Sequence, residues 1–233
     1  MSISHIQKKK ERDPNRLWLD QGDFYLEIKG DQYEKVHDGE GIVRFCGPEE
    51  LLGTKILALG EALQDGMEVK APTIPWFEIA RHMLQTPKFM FHFARKPRKF
   101  EEFVAGAYRR AGWDQVILTP SSSDKGRDVI AAISAKRGMC SLRVLDQAKA
   151  YTEGRLVRHD AVRAVVGVLN LDQNASKALI TTTSDFEPHV LSKLEFSGVI
   201  PYRLELRNGQ QLLTWLGEIN HYANAQHQSD RTF

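Results

Sequence analysis

Three polar side chains in the second half of the chain have the types and spacing that a hydrolytic site needs. Asp128 follows a turn-forming run from Pro120 to Gly126, and Gln147 and Lys149 are separated by one residue. A carboxylate binds hard cations such as Mg²⁺, and a lysine can stabilise negative charge that develops on a phosphoryl oxygen. Hydrolysis of a phosphodiester is a reaction that can use both groups.

The segment from Ser141 to Tyr151 decides whether these side chains can act together. Its residues are tolerated both in a helix and in a strand, so its composition leaves the two structures open. In a strand, side chains alternate between the two faces, and Gln147 and Lys149 would share one face. Both would then lie beside Asp128 across a hairpin.

The surrounding sequence predicts a series of helices and strands. Phe100 to Arg110 has an apolar helical face, and Gly112 is a suitable residue to end that helix. Period-two and β-branched runs predict the strands, and apolar residues at helical spacing predict the remaining helices. In order, these are strands at Val116–Thr119 and Val129–Ile133, a helix at Ala161–Leu169, a strand at Lys177–Thr183, a helix at Phe186–Leu194, a strand at Tyr202–Leu206 and a helix at Gln211–Ile219.

The first part of the chain divides into a basic tail, residues 1–16, and a small α+β domain over residues 17–94, followed by a second domain over residues 95–233. Strand-like stretches occur at Leu17–Lys29 and Gly41–Cys46. A helix is predicted to begin at Pro48 and to continue through Leu63, ending at Asp65-Gly66. The role of this domain stays open between DNA recognition, dimerisation and partner binding.

Two aromatic stretches close this first domain. A short helix is predicted from Trp76 to Leu84. For Phe89, Phe91 and Phe93 the pattern leaves two alternatives open, a strand or packing against the second domain.

The composition excludes several classes of protein. Charged residues make up 27% and hydrophobic residues 42% of the 233 positions, and no apolar run is long enough to span a membrane, so we expect a cytoplasmic protein with no membrane partner. Cys46 and Cys140 have no zinc or disulfide spacing. The net charge of +2 is too small to indicate a polyanion partner, although basic residues cluster at Lys8–Arg16 and at Arg95–Lys99.

Five short runs occur in a characteristic order. They are FEEFV at Phe100–Val104, GW at Gly112–Trp113, DKGRDV at Asp124–Val129, QAKAY at Gln147–Tyr151, and ITTTS at Ile180–Ser184 with Phe186 after it. Together, over residues from about 98 to 220, they resemble the Mrr-type catalytic domain of the restriction-endonuclease-like, or PD-(D/E)xK, superfamily. The resemblance implies an α/β fold with an αβββαβ core, in which helices flank a mixed sheet, preceded by a smaller N-terminal α+β domain.

The resemblance also implies a catalytic centre made of Asp128, Gln147, Lys149 and Glu101, with Glu102 as the alternative to Glu101. Asp128 would be the main ligand of Mg²⁺, for which Mn²⁺ would substitute. Glu101, directly or through water, the Gln147 amide oxygen and the Ala148 carbonyl are further candidate ligands. Lys149 would position the attacking water and stabilise the developing charge.

The function implied by the resemblance is a metal-dependent endonuclease that hydrolyses double-stranded DNA in restriction or defence. An enzyme that cuts both strands is often a two-fold dimer, so a homodimer is compatible with this function. The alternatives are a structure-specific junction nuclease, a non-catalytic DNA-binding or assembly protein that keeps the fold, and an interaction module that acts through its N-terminal domain.

The chain departs from the family pattern at two positions. Lys125 stands where glycine is common, and Asp146 stands where an apolar strand residue is usual. Asp146 would point to the face opposite Gln147, where it needs a partner, or it would add a carboxylate near the site. Each candidate also has a structural alternative, since Asp128 can be a solvated turn residue and Glu101 a helix-surface residue. Thr181 to Ser184 are predicted as strand and turn, with a phosphate contact as the alternative.

Overall fold

The structure, a computed structural model, describes residues 17–18, 24–29, 32–37, 43–45, 48–121, 126–135 and 140–229, except residue 193. The predicted basic tail, together with Asp124 and Lys125, lies outside these ranges. The chain divides into two compact units, Met1–Leu51 and Leu52–Phe233. The predicted division at residues 94 and 95 does not coincide with this boundary, because residues 52–94 pair and pack within the second unit.

The first unit contains a four-stranded antiparallel sheet in which each strand pairs with its neighbour in sequence. Its strands are β1 (Leu17–Trp18), β2 (Phe24–Lys29), β3 (Gln32–His37) and β4 (Val43–Phe45), followed by α1 (Pro48–Leu51). Strand β3 was not predicted, since its residues are mostly polar. Among its described residues, this unit thus combines short antiparallel strands with a single helical turn.

The second unit is built on a seven-stranded sheet with the order β11-β10-β9-β8-β7-β6-β5. Its strands are β5 (Leu57–Leu63), β6 (Gly66–Pro72), β7 (Gln115–Leu118), β8 (Val129–Ile133), β9 (Leu142–Lys149), β10 (Lys177–Thr182) and β11 (Leu204–Arg207). Strands β9, β10 and β11 are parallel, and the other neighbours are antiparallel. The sheet is therefore mixed, as predicted.

Helices flank this sheet. They are α2 (Ile74–Gln85), a 3-10 helix (Pro87–Arg95), α3 (Pro97–Arg110), α4 (His159–Leu171), α5 (Pro188–Ser192), α6 (Leu194–Ser197) and α7 (Gly209–Ser229). The sequence α3, β7, β8, β9, α4, β10 is the predicted αβββαβ core. Within the described part of the chain, no helix is both long enough and apolar enough to pass through a membrane.

The helix predicted from Pro48 to Leu63 is wrong beyond Leu51. Residues Leu57–Leu63 form β5, which pairs with β6 so that Leu63 lies opposite Gly66. The apolar residues at 57, 59 and 63 also fit a period of two, and Asp65-Gly66 is as typical of a hairpin turn as of a helix end. Gly66 has a φ of +151°, and a Cβ there would lie 2.3 Å from the Leu118 carbonyl oxygen on β7. Close pairing of β6 with β7 therefore requires glycine.

The aromatic stretch before α3 is a 3-10 helix, so the strand alternative is wrong. Phe89 and Phe93 are buried there, and the Phe93 ring lies 5.2 Å from the ring of Phe100 on α3. The packing alternative is thus the correct one. The neighbouring helix α2 confirms the helix predicted from Trp76 to Leu84.

Different helices cover the two faces of the seven-stranded sheet. Leu145 of β9 belongs to a buried cluster with Val162 and Val165 of α4. The next residue, Asp146, instead receives a hydrogen bond from Tyr108 of α3. Because successive side chains of a strand alternate, α3 and α4 lie on opposite faces.

Candidate active site

Asp128 immediately precedes β8, at the end of the β8–β9 pair where β9 continues past the last paired residue. Its carboxylate oxygen Oδ2 accepts a 2.8 Å hydrogen bond from the amide N–H of Ala148, and its own N–H donates to the Asp146 carbonyl at 2.9 Å. The residue is only 5% exposed. The carboxylate thus takes the place of a strand partner for Ala148 and is held at the end of the β8–β9 pair.

Gln147 and Lys149 lie on β9, which settles the structure of the ambiguous segment as a strand. Leu145 faces the α4 side, so the period of two puts Gln147 and Lys149 on that side as well. Val129 lies opposite Asp146 at the end of the β8–β9 register, and Asp128, the next residue outward, bonds the Asp146 carbonyl with its N–H and the Ala148 N–H with its carboxylate. Gln147 and Lys149 thus share one face, and Asp128 is bonded to Ala148 between them at the same end of the strand pair.

The amide oxygen of Gln147 is a buried acceptor. The residue is 5% exposed, and Oε1 has no hydrogen-bond partner among the described residues. A buried polar atom without a partner costs roughly 1 to 3 kcal/mol, and a bound water or ion is one way in which that cost is offset. With the Asp128 carboxylate and the Ala148 backbone carbonyl, it offers the oxygen ligands that a hard divalent cation takes.

Glu101 and Glu102 occupy α3 and are engaged with basic residues one turn earlier. Glu101 pairs with Arg98 at 2.5 Å, and Glu102 pairs with Lys99 at 2.7 Å. Their side chains are 17% and 20% exposed, so burial does not distinguish them. In the described ranges, no group of three or more His, Cys, Asp or Glu residues is close enough to hold a metal ion.

Asp146 points to the face opposite Gln147, and it has partners there. Its Oδ2 accepts hydrogen bonds of 2.8 Å from the Tyr108 hydroxyl and of 2.8 Å from the Thr181 hydroxyl, and it lies 4.0 Å from a guanidinium nitrogen of Arg207. Of the two alternatives for this residue, the partnered side chain on the opposite face is therefore correct. Burial raises the pKa of the Asp146 carboxyl, although Arg207 and the hydroxyl donors act to lower it.

The partners of Asp146 were missed by the sequence analysis. The Arg207 guanidinium lies over the Trp215 ring, 4.1 Å from its centroid, and the Trp215 ring lies 5.1 Å from that of Tyr108. The pKa of the Tyr108 hydroxyl is raised, first by burial and then by the Asp146 charge. An acidic residue in a buried strand was the signal that a partner exists, but it did not identify which residues supply it.

The end of β10 holds the chain at Lys149. The Thr182 hydroxyl donates to the Lys149 carbonyl at 2.8 Å, and the Thr183 N–H donates to the same carbonyl at 3.2 Å. The Thr183 hydroxyl also accepts a 2.7 Å hydrogen bond from the Tyr151 N–H. These threonines are buried, so their hydroxyls fix β9 to β10, and the strand-and-turn prediction for this segment is confirmed.

Four charged residues form a network of ion pairs that includes Arg127, the residue just before Asp128. Arg127 pairs with Asp172 at 2.9 Å and with Asp65 at 3.2 Å, while Arg143 pairs with Asp65 at 3.3 Å. They line a cleft of about 620 Å³. The ion pairs tie the residue that precedes Asp128 to the β5–β6 turn and to the end of α4.

Solved structures that resemble this chain include two restriction endonucleases. One is the DNA modification-dependent restriction endonuclease AspBHI, with 17% identity and a TM-score of 0.43 over 68% of this chain and 41% of that chain. The other is the MspJI restriction endonuclease in complex with a 27-mer oligonucleotide, with 18% identity and a TM-score of 0.43 over 66% of this chain and 36% of that chain. This chain therefore spans less than half the length of either structure. No curated protein matches it.

A family model gives the class of the second unit. The Mrr_cat model, described as a restriction endonuclease, matches residues 94–216, which is more than half of the chain. The match runs from the 3-10 helix into α7 and contains Asp128, Gln147 and Lys149. It also agrees with the observed αβββαβ core and its mixed sheet. The chain belongs to the Mrr_cat restriction endonuclease family.

Proposed function

We propose that this chain is a metal-dependent endonuclease that hydrolyses phosphodiester bonds of double-stranded DNA in restriction or defence. Membership of a restriction endonuclease family supports a nuclease. The observation that carries the proposal is the buried Oε1 of Gln147, without a hydrogen-bond partner among the described residues, next to the Ala148 N–H that binds the Asp128 carboxylate. A solvated turn residue would have neither this burial nor this neighbour.

The oxygen ligands would come from adjacent strand positions. The N–H and C=O groups of one residue in a strand point to the same side, so the Ala148 carbonyl points to the side on which its N–H meets Asp128. Asp128, Gln147 and Ala148 together would supply three oxygens. Glu101 would be a fourth ligand, directly or through water; because α3 covers the opposite face of the sheet, its side chain would have to reach the site past the end of β9, in exchange for part of its pairing with Arg98. Restriction endonuclease domains generally depend on a divalent metal, and Mg²⁺, replaceable by Mn²⁺, fits an oxygen-only set.

The chemistry follows from the charges at this end of β9. Asp128, Gln147 and Ala148 would hold a divalent ion there, whose chemistry would be to offset negative charge on the phosphoryl oxygens and to make water easier to deprotonate. Lys149 lies on the same face as Gln147 and would orient the attacking water with its ammonium group. The same ammonium would stabilise the negative charge that develops on the phosphoryl oxygens. Ala148 and Asp146 keep the Asp128 carboxylate in place through their backbone hydrogen bonds.

The proposed partner is double-stranded DNA. Basic residues near the start of α3 would contact its phosphates and make binding dependent on salt. These residues are Arg95, Lys96, Arg98 and Lys99. A homodimer would allow two centres to cut the two strands. An enzyme with this substrate acts inside the cell, and a cytoplasmic location is part of the proposal.

A cleavage assay tests this function. Supercoiled plasmid, modified and unmodified, and a four-way junction would be incubated with Mg²⁺ or Mn²⁺ and the wild type, Asp128→Asn or Lys149→Ala. Asp160→Asn and Lys88→Ala are matched controls, because they make the same changes of residue type at side chains that are exposed and outside the proposed catalytic set. We expect metal-dependent nicked or linear product from the wild type and the controls, and none from the two site variants.

Each other outcome has a definite meaning. Preferred cutting of the junction would identify a structure-specific nuclease with the same centre. DNA binding without cleavage by the wild type would point to a non-catalytic binding protein. Equal cleavage by all five proteins would mean that Asp128 and Lys149 do not form the catalytic centre.

A further inference from the structure

We propose that Asp146 is a positioning residue, which fixes Asp128 and the catalytic end of β9 in one arrangement from the opposite face of the sheet. The inference rests on the proposed function for its role in cleavage. It adds a residue outside the implied catalytic set, at a position where the family pattern has an apolar side chain. Asp146 itself would not touch DNA or the metal, since its side chain is fully buried against α3.

The backbone of Asp146 is bound directly to Asp128. The Asp128 N–H donates to the Asp146 carbonyl at 2.9 Å, and two residues further along β9 the Ala148 N–H donates to the Asp128 carboxylate at 2.8 Å. Asp128 is therefore attached to β9 on both sides of Gln147. A shift of β9 at Asp146 would displace the carboxylate and the Gln147 amide relative to each other.

The side chain of Asp146 is held by three separate elements. Tyr108 belongs to α3, Thr181 to β10 and Arg207 to β11. The contacts with Tyr108 and Thr181 are directional hydrogen bonds, and Arg207 adds an ion pair at 4.0 Å, so β9 cannot slide along its neighbours or rotate without losing the two hydrogen bonds. Apolar contacts alone would tolerate such small displacements better.

The energetics favour a positional role over a purely stabilising one. Burial of a carboxylate carries a large desolvation penalty, and an apolar side chain of similar size would avoid it. The second carboxylate oxygen, Oδ1, has no hydrogen-bond partner among the described residues, so the penalty is only partly offset. An apolar core would leave β9 several positions of similar energy. The Asp146 cluster instead fixes β9 in one position, at the residue next to Gln147.

Amide hydrogen exchange, measured by NMR on the whole chain, tests the positional role without reference to cleavage. Thr181→Val and Asp146→Asn each weaken the cluster and keep the side-chain shape. We expect the amides of Asp128 and Ala148 to exchange about tenfold faster or more, after correction for global stability, while amides in α4 do not. Ile79→Ala, a buried change in α2 at a residue outside the Asp146 cluster, is the control for a general loss of stability. Equal changes at α4 and at these two amides would overturn the inference.

Cleavage kinetics then test the consequence for catalysis. We expect Thr181→Val to lower kcat about tenfold or more, because small displacements of catalytic groups have large effects, while KM for DNA stays within about twofold. Thr181→Ser, which keeps the hydroxyl, should restore kcat, and Ile79→Ala should leave it near the wild-type value. A wild-type kcat in Thr181→Val would overturn the role in cleavage. If the wild type cuts no DNA, the proposed function fails, and the exchange measurement still decides the role of Asp146.

Discussion

The Ala148 N–H donates a 2.8 Å hydrogen bond to the carboxylate of Asp128, and so joins the start of β8 to the strand that carries Gln147 and Lys149. One oxygen of the Asp128 carboxylate therefore already accepts a hydrogen bond from the protein backbone. The backbone and side chain of Asp128 both bind β9, so replacing this residue should disturb geometry as well as charge. Variants that leave Asp128 intact are for that reason the cleaner probes of the site.

Replacing Gln147 by glutamate should strengthen metal binding. The change adds a negative charge at a buried oxygen next to Asp128, and carboxylates are stronger ligands of hard cations than amides. We expect Mn²⁺ to bind about tenfold more tightly, measured by isothermal titration calorimetry. Gln173→Glu makes the same charge change at an exposed residue on the cleft and is the control. Equal gains in the two variants would indicate a general electrostatic effect and argue against a ligand at position 147.

Glutamine substitutions at positions 101 and 102 should separate the two helix carboxylates. Each glutamate pairs with a basic residue three positions earlier, and each pair is worth about 0 to 1 kcal/mol, so the two variants should be equally stable. We expect Glu101→Gln to slow plasmid cleavage, and Glu102→Gln to leave the rate within about twofold. The reverse pattern would assign the role to Glu102.

Gly106→Ala should destabilise the protein. An added Cβ would lie 2.3 Å from Nε1 of Trp76, whose ring is buried and donates a 2.8 Å hydrogen bond to the Phe103 carbonyl. Overpacking of this kind costs roughly 1 to 3 kcal/mol in the free energy of unfolding, measured with urea. Gly167→Ala in α4 is the control, because nothing lies within 4 Å of its Cβ, and it should gain about 0.5 to 1 kcal/mol. A loss at position 167 or a gain at 106 would contradict this packing.

The stability of the protein should fall in mild acid because of His82. Burial, and then the charge of Arg81, lower the pKa of this imidazole from 6.5 to about 4. The folded state thus favours the neutral ring, and the associated stability is present above pH 6.5 and is lost as the pH falls through about 4. Melting temperatures of the wild type and His82→Gln, measured between these pH values, should show a shallower decline in the variant. Parallel curves would mean that His82 does not titrate in this range.

The core elements could be predicted because their signals are local. The apolar face of α3 and the β-branched run of β10 are each contained in about ten residues, and their periods differ. Strand β5 could not be predicted in this way. Its leucines fit the helical period and the strand period equally well. The strand forms because β5 pairs with β6, and β6 in turn pairs with β7, whose residue Leu118 lies far along the chain.

The candidate site was predictable to a similar extent. The spacing of Gln147 and Lys149 implied a shared face once the segment was a strand. The surroundings of Asp146 were not predictable, since Tyr108 and Thr181 lie 38 and 35 residues away in the sequence. Those contacts arise only when α3, β9 and β10 are brought together by the fold.

The β5–β6 hairpin lies beyond β7, where it pairs Met67 with Leu118 and Glu68 with Ile117. A recombinant fragment beginning near residue 95 would keep the matched family region but would leave β7 as an open edge. Unpaired strand edges associate with one another, and such a fragment should aggregate. Fragments meant for crystallisation should therefore start no later than residue 52, where the second compact unit begins.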